Sequence, residues 1–578
     1  MCGLVAVFRP GGVDPREPAR MLEQLAHRGP DARGMWTSPD RRLVLGHNRL
    51  KIIDLSDGAN QPMVSPDERW VLIYNGEIVN YRDLRARYRG DWQFRTQGDT
   101  EMLLADFAQR GVDAMHDWVG MFAFALLDRK TNVLHLARDR FGIKPLYWAR
   151  LPDGGVAFAS EIPPLLDLLP RRRADEDTIR TYLETGLYDT GARTFFAGIR
   201  CIEPGCAAEL DLATGELTEK RWYCLSEHLV DLSNVSEPEL VERGARAVET
   251  AICDHLIADV KVGLNVSGGV DSSVLVGVTS KAVDDLHVFT QDFPEPYSEA
   301  AWVRKVANGA TLHLCTLDRE DIERVLDDTV RRQAEPFGGV SVAAYDYTYR
   351  AAREEGITVL CDGNGVDEVF LGYKKYSRAA ATNDFDPRGR SIDGSEGTVA
   401  EAISPRLRRD AELLPLPDYR SEFGSPLKAA AALDLLAAKI PRGLRFNDRM
   451  SMGHSRELRV PFLDHRLVEF GFSVPTKYLI SDSHTKSLFR KIAQNWISAD
   501  VANASKRSVQ SPQREWLATD WQAFVLDLIK SPSFNDRGWI DPAVARAIYA
   551  RYCGGGRENS FFLWQWLNLE LWARSYLD

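Results

Sequence analysis

Residues 262–273 read VGLNVSGGVDSS, and this stretch decides the architecture of the second half of the chain. Its apolar run ends at Val266, a Ser-Gly-Gly turn follows, and helical sequence continues beyond Ser273. A strand, a glycine turn and a helix together offer backbone N–H groups and a helix N-terminus to phosphate. The Gly-Lys-Ser/Thr of the loop in ATPases that cleave the γ-phosphate is missing. A plain tight turn before a helix is the alternative interpretation.

Further apolar runs surround this loop at regular distances. Helical sequence at about 237–258 precedes it, and strands are predicted at 286–293, 312–317 and 357–361, separated by helical sequence. Strands that alternate with helices imply a parallel sheet with crossover helices. The sequence of the C-terminal third predicts mostly helices. The segment 380–430 is rich in Gly, Ser, Pro and Asp and is predicted to be a mobile insertion or loop.

The first 160 residues have a different pattern. Short apolar runs separated by turns indicate antiparallel sheets, and they lie at 3–8, 43–46, 70–74, 121–127, 133–137 and 156–159. A polar stretch with a hairpin around Thr214-Gly215 then links the two halves. The sequence therefore predicts a first domain at 2–205, a connection at 206–240 and a second domain at 241–578.

Composition excludes several classes of function. The net charge of −11 over 578 residues argues against a nucleic-acid partner, because a protein that binds nucleic acid usually has a basic surface. The longest apolar stretch, near 119–127, is shorter than the roughly 20 residues that span a bilayer. Arg9 and Pro10 end the apolar start too early for a signal peptide. We therefore expect no membrane partner and a cytoplasmic location.

The eight cysteines are scattered, without the spacing of a zinc site or a disulfide framework. Seven are interpreted as small buried hydrophobes, and Cys2 is the exception. An initiator methionine is commonly removed before a small residue, which would leave Cys2 with a thiol and a free α-amino group. That amine has a reference pKa near 7.7–8.0, so it can take the thiol proton near neutral pH. Alone, a cysteine at position two is more often incidental.

Five motifs follow Cys2 in order: HRGPD at 27–31, RLKIID at 49–54, NGE at 75–77, GDTE at 98–101 and RDRFGIKPLY at 138–147. Together they resemble the class II, N-terminal nucleophile, glutamine amidotransferase domain over about residues 2–200. The resemblance implies an αββα sandwich and a glutaminase in which Cys2 is the catalytic nucleophile.

The same resemblance assigns the glutamine-binding residues. Arg49 suits the substrate α-carboxylate through a bidentate guanidinium pair, while Glu77 and Asp99 suit the α-ammonium. Attack by the thiolate makes an oxyanion, which needs hydrogen-bond donors aimed at it. By resemblance, those catalytic donors are the Asn75 amide and the Gly76 N–H, and both residues also bind glutamine. Taken singly, Arg49 or Asp99 would be a surface ion-pair residue in most proteins.

With Asp271 inside it, the loop after Val266 resembles the pyrophosphate motif of ATP pyrophosphatases, which cleave ATP into AMP and pyrophosphate. The resemblance implies an ATP and pyrophosphate site made by Ser267, Gly268, Gly269, Asp271, Ser272 and Ser273. Asp271 would then help to hold Mg²⁺, which takes one or two carboxylates in addition to phosphate oxygens.

A second loop, DGNGVDE at 362–368, follows the strand that ends at Cys361. In open parallel sheets, ligands bind outside the carboxyl ends of the strands, where both loops fall. We expect Asp362 and Gly363 to contact ATP and Asp367 to be the second magnesium ligand. Lys486 resembles the lysine that lies near the acyl-adenylate and pyrophosphate in enzymes with this motif. The alternative is that Lys486 is a surface residue, as a lone lysine normally is.

The segments RMSM at 449–452 and RELRVPFLD at 456–464 complete a close match to the asparagine synthetase domain. The chain is thereby similar to the glutamine-hydrolysing asparagine synthetases over about 2–200 and 240–520. The resemblance implies a parallel-sheet adenylating domain with a helical C-terminal part, the cofactors ATP and Mg²⁺, and a homodimer. The implied reaction converts a small carboxylate to an acyl-adenylate and then to an amide with ammonia from glutamine, releasing glutamate, AMP and pyrophosphate.

One departure concerns the acceptor. Typical asparagine synthetases have Ser-Gly-Glu-Gly where this chain has Asp362-Gly363-Asn364-Gly365, and an amide such as Asn364 is no base near pH 7. Either Glu368, the adenylate phosphate or water takes the proton, or the acceptor is not aspartate. A non-aspartate acid from surface-polysaccharide or natural-product biosynthesis is the alternative acceptor.

Two other functions fit the same scaffold. β-Lactam synthetases form an intramolecular amide and lack a working N-terminal cysteine, so Cys2 with intact Arg49, Asn75 and Asp99 argues against them. A non-catalytic regulatory or binding protein is the alternative of another class. Glutaminase activity that vanishes in Cys2→Ala would exclude it.

Overall fold

A computed structural model describes residues 1–88, 90, 92–307, 309–377, 398–481, 484–504, 511–555 and 559–578. The strands in chain order are β1 (Gly3–Phe8), β2 (Ala32–Thr37), β3 (Leu43–Arg49), β4 (Met63–Val64), β5 (Trp70–Ile78), β6 (Gly120–Asp128), β7 (Val133–Arg138), β8 (Tyr147–Arg150), β9 (Val156–Ala159), β10 (Ile199–Cys201), β11 (Cys206–Asp211), β12 (Leu217–Arg221), β13 (Val262–Asn265), β14 (His287–Asp292), β15 (Thr311–Thr316), β16 (Val359–Cys361) and β17 (Glu457–Arg459).

The N-terminal strands form two antiparallel sheets. Their orders are β10-β8-β9-β1-β3-β2 and β12-β11-β7-β6-β5-β4. The hairpin around Thr214-Gly215 is therefore the outer edge of the second sheet, because β11 pairs with β7 from Ala207 to Asp211 and β12 is the last strand in the order. The first part of the predicted connection thus belongs to this sheet, and the division of the chain into domains stays a prediction. Turn residues such as Thr214-Gly215 predict that the two flanking strands pair with each other, but they do not predict that the hairpin also pairs with a third strand such as β7.

Alternation along the strands builds a sandwich between helices. In β1, Leu4, Ala6 and Phe8 enter the core between the two sheets. Val5 and Val7 point to the opposite face, where the helix Arg16–Gln24 packs. The strand β5 alternates in the same way, since side chains in a strand have a period of two. The predicted αββα sandwich is confirmed.

The second half contains a parallel sheet in the order β15-β14-β13-β16-β17. Four of these strands were predicted from the sequence. The edge strand β17 was missed, because three residues inside a motif give too short an apolar run to be recognised. Helices cover the sheet, and the C-terminal part is helical as predicted.

The α-helices are Arg16–Gln24, Tyr81–Ala86, Asp99–Arg110, Pro163–Leu166, Glu176–Thr185, Glu237–His255, Val270–Thr279, Ala300–Ala307, Arg319–Gln333, Val340–Glu354, Val366–Val369, Pro405–Asp410, Arg420–Phe423, Pro426–Leu433, Ile440–Gly453, His465–Ser473, Thr476–Leu479, Ser487–Ala493, Ala499–Ala502, Gln513–Ala518, Gln522–Lys530, Pro532–Arg537, Pro542–Cys553 and Phe561–Tyr576.

Of the predicted insertion at 380–430, residues 380–397 lie outside the described residues. From residue 398 onward, that segment contains three short helices, so the expectation of a loop was wrong there. Pro405 and Pro426 begin two of these helices, a position where the missing backbone N–H of proline has no cost, so their presence in the segment does not indicate a loop. In the described part of the chain, no helix has the length and apolar character needed to cross a bilayer.

Candidate active sites

Cys2 lies immediately before β1 and is buried. Its backbone N–H donates to Asn75 Oδ1 at 2.8 Å, and its Sγ lies 4.0 Å from the Leu50 carbonyl oxygen. Burial raises the pKa of the Cys2 thiol, and the nearby N-terminal ammonium opposes that shift. The thiol therefore needs a base to become a nucleophile.

Asn75 and Gly76 lie beside Cys2 on β5, where pairing with β6 fixes their backbone. Asn75 is fully buried, and its Nδ2 has no hydrogen-bond partner among the described residues. A buried amide donor without a partner is costly, so it marks a position where a ligand oxygen can bind. A side chain at Gly76 would overlap the Met121 carbonyl, so only glycine fits there.

Arg49 ends β3 and is buried at 4% exposure. Its guanidinium donates to oxygens of the loop 53–60, at 2.7 Å to the Ser56 carbonyl and 2.9 Å to Asn60 Oδ1. Those acceptors are neutral, and in the described chain no carboxylate forms an ion pair with it. The loop therefore holds a positive charge in place without a counter-ion, although both terminal nitrogens of Arg49 already donate to the loop, so a bidentate pair with a carboxylate would have to replace some of those bonds.

Two buried carboxylates face the same space. Asp99 Oδ2 accepts from the Tyr74 hydroxyl at 2.8 Å and from the Ile78 N–H at 3.0 Å. Burial raises the pKa of Asp99 and raises the pKa of Glu77 well above its usual range. Glu77 Oε1 has no hydrogen-bond partner within the described residues. A cation placed between these acids would stabilise their charged forms.

The sequence analysis missed two residues of this site, Glu457 and Arg459 on β17. Both are fully buried. Glu457 Oε2 lies 3.1 Å from the amino group of Met1, and Glu457 Oε1 accepts from Arg459 Nε at 2.6 Å. Arg459 also lies 3.6 Å from Glu77. The match to a motif contained both residues but gave no indication that they approach the other domain.

The second site is a cavity of about 400 Å³ at the carboxyl ends of β13 and β16. Its lining includes the predicted residues Ser267, Gly268, Gly269, Asp271, Ser272, Asp362, Gly363, Asp367 and Lys486. Ser273 does not line the cavity; its hydroxyl donates to the Gly269 carbonyl at 2.7 Å and holds the turn. The helix Val270–Thr279 directs its N-terminus at this cavity, as an anion site requires.

Asp271 and Asp367 converge on one ammonium. Lys486 Nζ lies 2.7 Å from an Asp271 oxygen and 2.7 Å from Asp367 Oδ1. Burial disfavours the lysine charge, but the two carboxylates outweigh it and raise the pKa of Lys486 to about 12. Two carboxylates that already share one cation fit the oxygen donor set of Mg²⁺. A side chain at Gly372 would overlap both Asp367 and Lys486.

Two further acids lie in the same cavity. Burial raises the pKa of Asp362 to about 6, although the Asn364 N–H donates to it at 2.9 Å. Burial and the neighbouring Asp367 raise the pKa of Glu368 to about 7. The Tyr373 hydroxyl donates to Glu368 Oε1 at 2.6 Å. Glu368 therefore exchanges a proton near neutral pH, which Asn364 in the same loop cannot do.

The helix Ile440–Gly453 links the two sites. Its first turn lines the cavity through Ile440. Two turns further on, Asp448 accepts from Arg28 Nη1 at 2.8 Å, and Arg28 Nε donates to the Cys2 carbonyl at 3.0 Å. Arg28 also donates to Glu161 at 2.6 Å. A buried ion-pair network thus connects the backbone of Cys2 with the helix Ile440–Gly453, which forms a wall of the cavity.

Two family models match the chain. The model described as a glutamine amidotransferase domain matches residues 1–223, and the model described as asparagine synthase matches residues 244–574. A putative asparagine synthetase [glutamine-hydrolyzing] from Mycobacterium tuberculosis is 29% identical, over 100% of this chain and 98% of the relative. Asparagine synthetase [glutamine-hydrolyzing] 1 from Bacillus subtilis is 27% identical, over 99% and 96%. The Amidase chyE from Penicillium rubens is 26% identical, over 94% and 93%.

Among solved structures, the glutamine phosphoribosylpyrophosphate amidotransferase from Bacillus subtilis, complexed with ADP and GMP, is 13% identical and covers 75% of this chain and 96% of its own. Its TM-score of 0.31 is too low to support a structural argument.

Proposed function

Because the chain belongs to the asparagine synthase family, we propose that it amidates a small carboxylate through an acyl-adenylate, using ATP and ammonia released from glutamine. The observation that carries this proposal is the convergence of Asp271 and Asp367 on Lys486 beside the 267–273 loop. Glutamine as the nitrogen donor agrees with the family model that matches residues 1–223.

We infer that the glutaminase half acts after removal of Met1. The freed α-amino group of Cys2 then takes the proton of the adjacent thiol, whose pKa is raised by burial. The thiolate attacks the glutamine amide carbon, and the oxyanion accepts from the unpaired Asn75 Nδ2 and from Gly76 N–H. The acyl–nitrogen bond breaks, ammonia leaves, and water later releases glutamate from the sulfur.

Charges place the substrate. Arg49 would hold the α-carboxylate, and Glu77 with Asp99 would hold the α-ammonium. These acids already lie in a cluster that holds a cation, since the Met1 ammonium lies 3.1 Å from the neighbouring Glu457. Binding of an ammonium would offset the burial that raises the pKa of both acids.

In the second half, an oxygen of the acceptor carboxylate attacks the α-phosphorus of ATP, and the bond to the leaving pyrophosphate breaks. Asp271 and Asp367 would hold Mg²⁺, which when bound neutralises phosphate charge. Lys486 would then pair with phosphate oxygens. Ammonia attacks the acyl carbon, the bond to AMP breaks, and the nitrogen loses a proton.

Glu368 is the protein group best placed to take that proton. It lines the cavity, its pKa is raised to about 7, and the Tyr373 hydroxyl orients it. The adenylate phosphate and water are the other candidates that the loop with Asn364 leaves open. The relative from Penicillium rubens is named an amidase and not an asparagine synthetase, so acids other than aspartate belong in the test. Aspartate itself is the first acid to test.

The test is a screen of carboxylic acids, beginning with aspartate, for acid-dependent pyrophosphate release with glutamine, ATP and Mg²⁺. We expect one acid to give pyrophosphate, AMP and glutamate in equal amounts. Cys2→Ala is expected to lose glutamine-dependent turnover by at least about a thousandfold while keeping turnover with ammonium chloride. Glutamine hydrolysis that survives in Cys2→Ala, or ADP in place of AMP, would refute the proposal. Sedimentation would test the proposed homodimer, and cell fractionation the proposed cytoplasmic location.

A further inference from the structure

We propose that Arg459 is a positioning residue that couples glutamine binding at the first site to Mg·ATP binding at the second. This inference rests on the proposed function, since it needs both ligands to bind. The argument depends on one residue whose side chain reaches one site and whose backbone reaches the other.

The side chain of Arg459 reaches the first site from the edge strand of the second domain. Arg459 Nη2 lies 3.6 Å from Glu77 Oε1, a distance too long for a hydrogen bond. Both of these buried atoms are without a hydrogen-bond partner in the described chain. The ion pair is therefore open: Glu77 Oε1 can accept from a ligand ammonium without first losing a hydrogen bond to Arg459.

The backbone of Arg459 belongs to the second site. Its carbonyl accepts from the Asp362 N–H at 2.9 Å, where the polypeptide leaves β16 and enters the loop 362–368. Asp362, Gly363 and Asn364 line the nucleotide cavity. A shift of Arg459 along its strand must therefore move the first hydrogen bond of that loop.

The coupling follows from competition for one charge. An α-ammonium that binds Glu77 stabilises the charged form of this acid and at the same time competes with Arg459 for that charge, so the force between Glu77 and Arg459 changes. Arg459 keeps its bond to Glu457 at 2.6 Å and its bonds to the His255 and Ile257 carbonyls, so its guanidinium has other partners when its attraction to Glu77 changes. A packed core does not deform smoothly, so a side chain that moves within it changes to another packed arrangement. We infer that such a change at the Arg459 side chain also shifts the backbone of β17. By reciprocity, a nucleotide that fixes the 362–368 loop must change glutamine affinity by the same factor.

The experiment measures L-glutamine binding by calorimetry in the full-length Cys2→Ala protein, with and without Mg·ATP. We expect the two dissociation constants to differ by about fivefold or more, the lower end of typical coupling. Adding Arg459→Met should bring their ratio to about one while each ligand still binds. Arg459→Lys keeps the charge and should retain part of the effect. If the Arg459→Met variant does not fold, the Arg459→Lys variant alone tests the inference.

Lys144→Met is the matched control. Lys144 is also fully buried and donates to the carbonyl of Leu458, the residue before Arg459, at 3.2 Å. The control should keep the coupling ratio. A ratio of one in Cys2→Ala, an unchanged ratio in Arg459→Met, or an equal loss in Lys144→Met would overturn the inference. If glutamine or Mg·ATP did not bind Cys2→Ala at all, the proposed function would fail, and this inference with it.

Discussion

At the residue scale, one lysine shows how the second site is held ready. Lys486 is buried, and its ammonium is shared by two carboxylates from different loops. Removing one partner of a buried ion pair leaves the other charges uncompensated. If the site holds a divalent cation as proposed, that cation can replace the lost ammonium, so stability and metal binding become linked.

We predict that Lys486→Met lowers the free energy of unfolding by about 3 kcal/mol in magnesium-free buffer. Added Mg²⁺ should raise the melting temperature of this variant more than that of the wild type, because the freed Asp271 and Asp367 carboxylates then bind the metal. Thermal denaturation with and without Mg²⁺ measures both effects. Lys439→Met is the control, since Lys439 lines the same cavity but lies 4.0 Å over the Tyr373 ring. An equal response to Mg²⁺ in Lys486→Met and wild type would contradict the metal assignment.

The proton acceptor gives a pH prediction. Glu368, with its pKa raised to about 7, is protonated below that pH and cannot accept a proton from ammonia. Amidation by the wild type should therefore rise as the pH increases through about 7, and Glu368→Gln should lack this rise. The initial amidation rates of the wild type and of Glu368→Gln are measured with ammonium chloride at each pH. The ratio of the two rates does not depend on the ionisation of ammonia, because both enzymes receive the same concentration of free ammonia. A ratio that stays flat from pH 6 to 8 would assign the proton to phosphate or water.

How much of each site could be foreseen differs residue by residue. Cys2, Arg49, Asn75 and Asp99 were predicted because each lies within a motif whose chemistry is local, and the structure brings them around one space. Their roles stay predictions. Arg459 was missed because its contact with Glu77 joins positions far apart in the chain. Sequence patterns report local periodicity and do not report such contacts.

At the element scale, the turn after the helix Val366–Val369 is decided by space. Gly372 N–H donates to the Asp367 carbonyl at 2.7 Å, so the chain folds back over the carboxylate that it presents. We predict that Gly372→Ala separates Asp367 from Lys486, because the added methyl would overlap both. Pyrophosphate release should fall by about tenfold or more, since small misplacements in a site have large effects.

The control for this variant is Gly443→Ala in the helix Ile440–Gly453, which lines the same cavity and has open space around an added methyl. It should retain pyrophosphate release within about twofold and gain helix stability. If Gly372→Ala were as active as this control, the tight packing at Asp367 would not matter for nucleotide chemistry.

Elements themselves were predicted unevenly. The strands β13 to β16 follow from apolar runs bounded by turns, and the structure has them within two residues of the predicted bounds. The strand β17 has only three residues, and the hairpin β11–β12 gave no sign that it extends a sheet. Both depend on pairing with a distant strand, which supplies hydrogen bonds that local sequence does not specify.

At the scale of the whole molecule, the two candidate sites share buried elements. The strand β17 contacts the proposed glutaminase site through Glu457 and Arg459, and the helix Ile440–Gly453 extends from the proposed nucleotide cavity to Arg28. An enzyme of this family that makes ammonia at one centre gains if the nitrogen reaches the other before it is protonated in water. Coupled binding through Arg459 would time the two reactions.

The most direct test of the central claim follows the nitrogen atom. The enzyme is given glutamine labelled with ¹⁵N in its amide, ATP, Mg²⁺, the acid that releases most pyrophosphate in the screen, and excess unlabelled ammonium chloride. Mass spectrometry of the intact protein should show that Met1 is absent, and mass spectrometry of the product should find ¹⁵N in the new amide despite the unlabelled pool. The Cys2→Ala enzyme should make only unlabelled amide. A wild-type product that carries nitrogen in proportion to the ammonium in solution would contradict the account.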